Sequence, residues 1–66
     1  MAKYYLNNRK QENGDHEVHK SGCDFFPSDI KYLGEYDNCK DAVREAKKTY
    51  NQVNGCYYCS NACHTQ

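Results

Sequence analysis

The aliphatic side chains of this 66-residue sequence are few: Leu6, Val18, Ile30, Leu33, Val43 and Val53, helped by some alanines. A chain this short buries too small a share of its surface to offset comfortably the conformational entropy of ordering it. Tyrosine supplies much of the 38% hydrophobic content, with seven Tyr against two Phe and no Trp, so the core cannot be mainly aliphatic. Folds of this size usually need a staple, either disulfides or a metal. Five cysteines in 66 residues point to one.

Which staple depends on the compartment. The N-terminal run MAKYYLNNRKQENGDHE has neither the apolar segment nor the small-residue cleavage site of a secretory signal. No stretch approaches the length of a membrane span. A cytoplasmic chain without membrane association is therefore expected. In that setting clustered Cys and His more often bind metal than pair as disulfides. An odd cysteine count also fits a closed disulfide framework poorly. The expected cofactor is one Zn²⁺.

Nine basic and nine acidic residues are interspersed, for a formal net charge of zero. No basic stripe of the kind that neutralises nucleic-acid phosphates is present. Nucleic acid stays on the list of partners without support from charge.

The coarse elements follow from pattern. Lys3–Asn7 has strand character, and the polar stretch Asn8–Asp15, with Asn13-Gly14, reads as a turn or loop. His16–Lys20 can return as an antiparallel partner, with Val18 on one face and Glu17 and His19 on the other. Ser21-Gly22 ends it, and Pro27 stops regular structure nearby. Lys31–Tyr36 is a third strand candidate in which Gly34 suggests a bulge or a close backbone approach. Asp37 and Asn38 suit a helix N-cap, and Asp41 favours the first turn. Cys39, Ala42, Val43, Ala46 and Tyr50 then recur at helical spacing. Asn54-Gly55 reads as a turn before Cys56, and the tail can form a short helical turn. One α+β domain over residues 1–66 is expected, with a short antiparallel sheet of two to three strands and one main helix.

Cys56-Tyr57-Tyr58-Cys59 is a C-x-x-C, whose spacing lets two thiolates converge on one tetrahedral ion while turn amides face the sulfurs. His19 and Cys23 lie four apart, on a turn leaving a strand. The ligand set His19, Cys23, Cys56 and Cys59 would tie the first hairpin to the C-terminal tail across 33 positions. Alternatives stay open. Cys63 can replace His19, and Cys56, Cys59 and His64 match the first three ligands of a retroviral-type knuckle that lacks its fourth cysteine. Cys39, on the apolar helix face, reads as a small buried hydrophobe, and His16 as a loop or strand-surface residue.

The order H-x3-C, strand, alanine-bearing helix (Asp41-Ala42-Val43 through Ala46) and G-C-x-x-C resembles the N-terminal zinc domain of the Ada alkylation-repair protein and its Ada-like relatives. The similarity covers roughly Val18 to Cys59. It implies a small α+β domain with an antiparallel sheet, a helix and one zinc. In that family the four ligands are cysteines and the first accepts the methyl group; His19 stands there in this chain. Tyr57, Tyr58, Ser60 and Asn61 replace the family's basic flanks. Both departures turn the resemblance away from methyl transfer and toward a structural site. The NGDHEVH and NGCYYC…CH segments are also similar to those of small bacterial proteins, a resemblance that implies no activity.

Four protein ligands leave no open position for a catalytic water. Paired carboxylates, phosphate loops and Ser/His/Asp arrangements are not evident. A thiol switch through Cys56/Cys59 lacks the βαβ context of a thioredoxin-like motif. The expected function is a non-enzymatic, monomeric binding module for an unidentified protein partner. Tyr57 and Tyr58 are its best surface candidates, and a nucleic-acid-associated Ada-like module is the alternative. Tyr4, Tyr5, Tyr32, Tyr36 and Tyr50 are expected mainly in the core.

Overall fold

The first strand, β1 (Ala2–Asn7), buries Tyr4 and Leu6 on one face, as the alternation of a half-buried strand requires. It belongs to a computed structural model that describes residues 1–24 and 26–64; Phe25, Thr65 and Gln66 lie outside the described residues. Strand β2 (His16–Lys20) pairs antiparallel with β1, setting Leu6 against Val18 and Tyr5 against His19. The connecting loop closes as an Asx turn, with the Asp15 amide donating to Asn13 Oδ1 at 2.9 Å.

Strand β3 (Ile30–Tyr36) pairs antiparallel with the other edge of β1. Its register shifts between Tyr4 and Tyr5, a β-bulge at the expected glycine. Gly34 has φ +130°, a conformation side chains disfavour, and a Cβ there would stand 3.3 Å from the Tyr36 ring.

Helix α1 (Cys39–Ala46) follows, and the Asn38 side chain caps it by accepting from the Asp41 amide at 3.0 Å. The helix ends at Ala46, one turn before Tyr50, so the helical spacing that points Tyr50 to this face does not hold to its end. Tyr50 instead stacks on His16, with ring centroids 3.6 Å apart and planes within 6°.

The α+β class holds, but the sheet has four strands, not two to three, and is mixed. Strand β4 (Val53–Gly55) lies parallel to β2 in the order β3-β1-β2-β4. Asn54-Gly55 is therefore part of a strand. The His16 amide donates to the Gln52 carbonyl and the Cys56 amide to the Val18 carbonyl, both at 2.9 Å, holding both ends of the short ladder. The chain then closes on itself through a 3₁₀ turn at Asn61–Cys63.

The helix covers one sheet face. Tyr4, Leu6, Val18, Cys39, Ala42 and Ala46 form the buried core, with Leu33, Tyr36, Val43, Tyr50 and Val53 packed around it. Tyr5 and Tyr32 are paired across β1 and β3, and their rings lie on the opposite face with that of Phe26. Tyr32 is 51% exposed, so the expected tyrosine core is only partly realised. Cys39 is not a free buried thiol. It is disulfide-bonded to Cys63, with 6.2 Å between their Cα atoms. No sequence proximity signals that pair, which joins the start of the helix to the tail.

Gly55 is required by close approach. A Cβ there would stand 2.7 Å from both Cys63 Cβ and the Ser60 carbonyl oxygen. Gly55→Ala should cost about 1–3 kcal/mol, as overpacking does. A lower urea midpoint at unchanged m-value is the expected outcome; an unchanged midpoint would show that the tail gives way freely.

Candidate metal centre

His19 reaches the site from β2 because the pleat sends it away from the Val18 side, and it is 1% exposed. The chain turns at once: the Cys23 amide donates to the Lys20 carbonyl at 3.2 Å, with Gly22 at φ +91°. That turn swings Cys23 back beside His19. From the other end of the chain, β4 delivers Cys56. The Ser60 amide then donates to the Cys56 carbonyl at 2.9 Å, closing a tight turn that carries Cys59.

The ligand atoms of His19, Cys23, Cys56 and Cys59 all lie within 4.8 Å of one another. Cys23 Sγ and Cys56 Sγ are 3.8 Å apart, as are Cys59 Sγ and His19 Nδ1. A tetrahedron with metal–sulfur bonds of about 2.3 Å has sulfur–sulfur edges of about 3.8 Å. The four residues therefore fit a metal ion of that size and donor preference.

The surroundings prepare two of the four residues, His19 and Cys59. His19 Nε2 donates to Glu17 Oε1 at 3.0 Å, and Glu17 Oε2 accepts from Gln11 Nε2 at 2.8 Å. With the ring proton on Nε2, the Nδ1 lone pair faces the sulfurs; such a carboxylate–histidine pair fixes both tautomer and ring orientation. Burial lowers the His19 pKa while Glu17 opposes it, a balance that favours the neutral imidazole a metal would need. Burial pushes the Cys59 thiol up to about 12. The Lys20 amide pulls it back, Cys23 and Cys56 raise it again, and Ser60 lowers it. A divalent cation among the four atoms reverses that balance by holding the sulfurs as thiolates. The Lys20 amide already donates to Cys59 Sγ, 3.2 Å away, a bond that favours the thiolate.

The rival ligands are occupied elsewhere. Cys63 is bonded to Cys39. The His64 ring contacts Tyr57, and its Nδ1 lies 3.0 Å from the Gly55 carbonyl oxygen. His16 Nδ1 lies 3.0 Å from the Asn7 carbonyl oxygen. Glu17, Gln11 and the Lys20 amide are the supporting groups that the motif spacing did not identify. Alternation along HEVHK did place Glu17 on the His19 face; the amide carries no side-chain signal at all.

No family profile, curated protein or solved structure matches the chain.

Removing the supporting carboxylate separates orientation from ligation. Glu17→Gln should weaken metal binding by about 10–100-fold at unchanged stoichiometry, as supporting-shell changes do. His19→Ala should weaken it further, whereas His16→Ala and His64→Ala should leave it near wild type. Competition titration against a chromophoric chelator measures all four, and equal losses would redraw the ligand set.

Proposed function

We propose that the chain is a small protein-binding module folded around one structural Zn²⁺ held by His19, Cys23, Cys56 and Cys59. The observation carrying this reading is the convergence of four protein donor atoms within 4.8 Å, with an edge matching a tetrahedral thiolate site. Zinc suits the donors, because three thiolates and an imidazole are the soft and borderline set it favours. A full protein shell supports a folding role for the ion rather than a catalytic one.

Magnitudes support a structural role. The Cys39–Cys63 bond spans 24 positions and constrains the unfolded chain by about 3 kcal/mol. Structural zinc in small finger peptides contributes about 10–16 kcal/mol, as much as the whole stability of an ordinary domain. The ion is thus the larger staple.

Tyr57 and Tyr58, inside the knuckle, are 52% and 68% exposed. Tyrosine supplies large contact area at low entropic cost, which suits a partner-facing surface. Among the described residues no helix is long and apolar enough to cross a membrane. The Cys39–Cys63 disulfide runs against the expected cytoplasmic setting, since reducing compartments keep such thiols reduced.

Native mass spectrometry should show one zinc per chain, and chelation should abolish the cooperative thermal transition even with the disulfide intact. A chain that folds equally well in chelator would refute the structural role.

One observation favours a second reading, a nucleic-acid-associated Ada-like module. Tyr5, Phe26 and Tyr32 form an aromatic row on the sheet face away from the helix, and Phe26 and Tyr32 are at least 36% exposed. Such rings can stack on unpaired bases. Binding of single-stranded oligonucleotides that weakens with salt and is lost in Tyr32→Ala would support it; no binding at low salt would end it.

A further inference from the structure

Helix α1 and the C-terminal 3₁₀ turn enclose a groove of about 460 Å³ lined by Lys40, Val43, Arg44, Lys47, Ala62 and Cys63. Its polar rim is entirely cationic. Lys40, Arg44 and Lys47 stand at i, i+4 and i+7, which places them along one stripe of the helix. The floor is apolar, formed by Val43, Ala62 and the Cys63 end of the disulfide.

The helix's acidic residues neutralise this rim only in part. Glu45 pairs with Lys48 at 3.1 Å, outside the groove lining, and the Asp41 carboxylate pairs with Arg44 at 3.5 Å, leaving two of the three rim cations unpaired among the described residues. Among the described residues Lys40 and Lys47 form no ion pair. In a chain of zero net charge, this is a local excess of positive charge around an apolar floor.

We propose that the groove docks a short acidic segment of a protein partner, carrying apolar side chains among its carboxylates. This rests on the reading of the chain as a protein-binding module and names the partner's chemistry. Charge complementarity selects the carboxylates, and the floor selects the apolar side chains between them. The stripe rises about 10 Å along the helix, the length of about three extended residues. Nucleic acid fits less well: the groove has no ring to stack on a base, and three cations are fewer than a phosphate-tracking stripe employs. The disulfide has a part here as well, because it ties the tail wall of the groove to the first residue of the helix.

The test uses the zinc-loaded full chain and a fluorescein-labelled peptide of alternating glutamate and leucine, with a lysine–leucine peptide as control. Anisotropy should show binding of the acidic peptide alone, weakening as salt rises. Amide resonances of Val43 and Ala62 should shift on binding. K40E/K47E, at two exposed positions, should lower affinity roughly tenfold or more, the scale of two reversed surface charge pairs. No binding, equal binding by K40E/K47E, or displacement of the peptide by a single-stranded oligothymidylate at lower concentration would overturn the proposal. Zinc content and chelator response are read on the same samples. Failed peptide binding with zinc bound therefore rejects the groove alone, whereas missing zinc rejects the module reading itself.

Discussion

The parallel pairing of β4 with β2 is the contact on which the rest of the molecule depends. It sets Gly55 beside Val18, so that the next residue, Cys56, emerges next to the strand that carries His19. Only three residue pairs make up this ladder, and parallel pairing is slightly weaker per residue than antiparallel. It also closes a long excursion through β3 and α1, whose entropic cost grows with the logarithm of its length. Such a ladder needs help from its surroundings. Val53 packs against the core on one side, and the four-ligand cluster lies just beyond the Gly55 end. The cluster and the ladder each supply the proximity the other requires.

The C-terminal tail is held twice within a few residues, by chemically different means. Cys59 joins the thiol cluster, and four positions later Cys63 bonds to the helix. Between them the Cys63 amide donates to the Ser60 carbonyl at 2.9 Å, and the Asn61 side chain donates to the Tyr57 carbonyl at 3.0 Å. This crowding explains the glycine at position 55, which admits the tail to within contact of the strand. It also explains why Tyr57 and Tyr58 face outward: the turn that aims Cys56 and Cys59 inward leaves the two intervening side chains no other direction.

Local chemistry was legible in the sequence and distant pairing was not. The bulge at Gly34, the Asn38 cap, the Asn13-Gly14 turn and the strand that carries His19 depend on residues within a few positions of one another, and each was readable. The convergence of His19 and Cys23 with Cys56 and Cys59 was readable despite its separation, because each half is a recognisable ligand pair. Strand β4 was not. Asn54-Gly55 has turn composition, and it is a strand only because β2 offers an unpaired edge. The Cys39–Cys63 bond was hidden for a related reason: a cysteine at helical spacing looks like core until the fold brings its partner to it. The tyrosines divided by face, with Tyr4 buried beneath the helix and Tyr32 left half exposed on the other side.

A histidine among three cysteines suits the charge that a metal-loaded cluster would carry. With a divalent ion, three thiolates leave one net negative charge, and a fourth would leave two in a largely buried position. Glu17 stands beside the fourth ligand and would add to that excess, its carboxylate facing a like charge. A neutral imidazole removes the repulsion, and its Nε2–H supplies Glu17 with a donor at 3.0 Å. Glu17 in turn holds Gln11 on the loop between β1 and β2. Cysteine at position 19 would have no second hydrogen-bonding atom to offer, and the link from the cluster to that loop would be lost. His19 and Glu17 are therefore best understood as one choice, which couples the His/Cys cluster to the first hairpin.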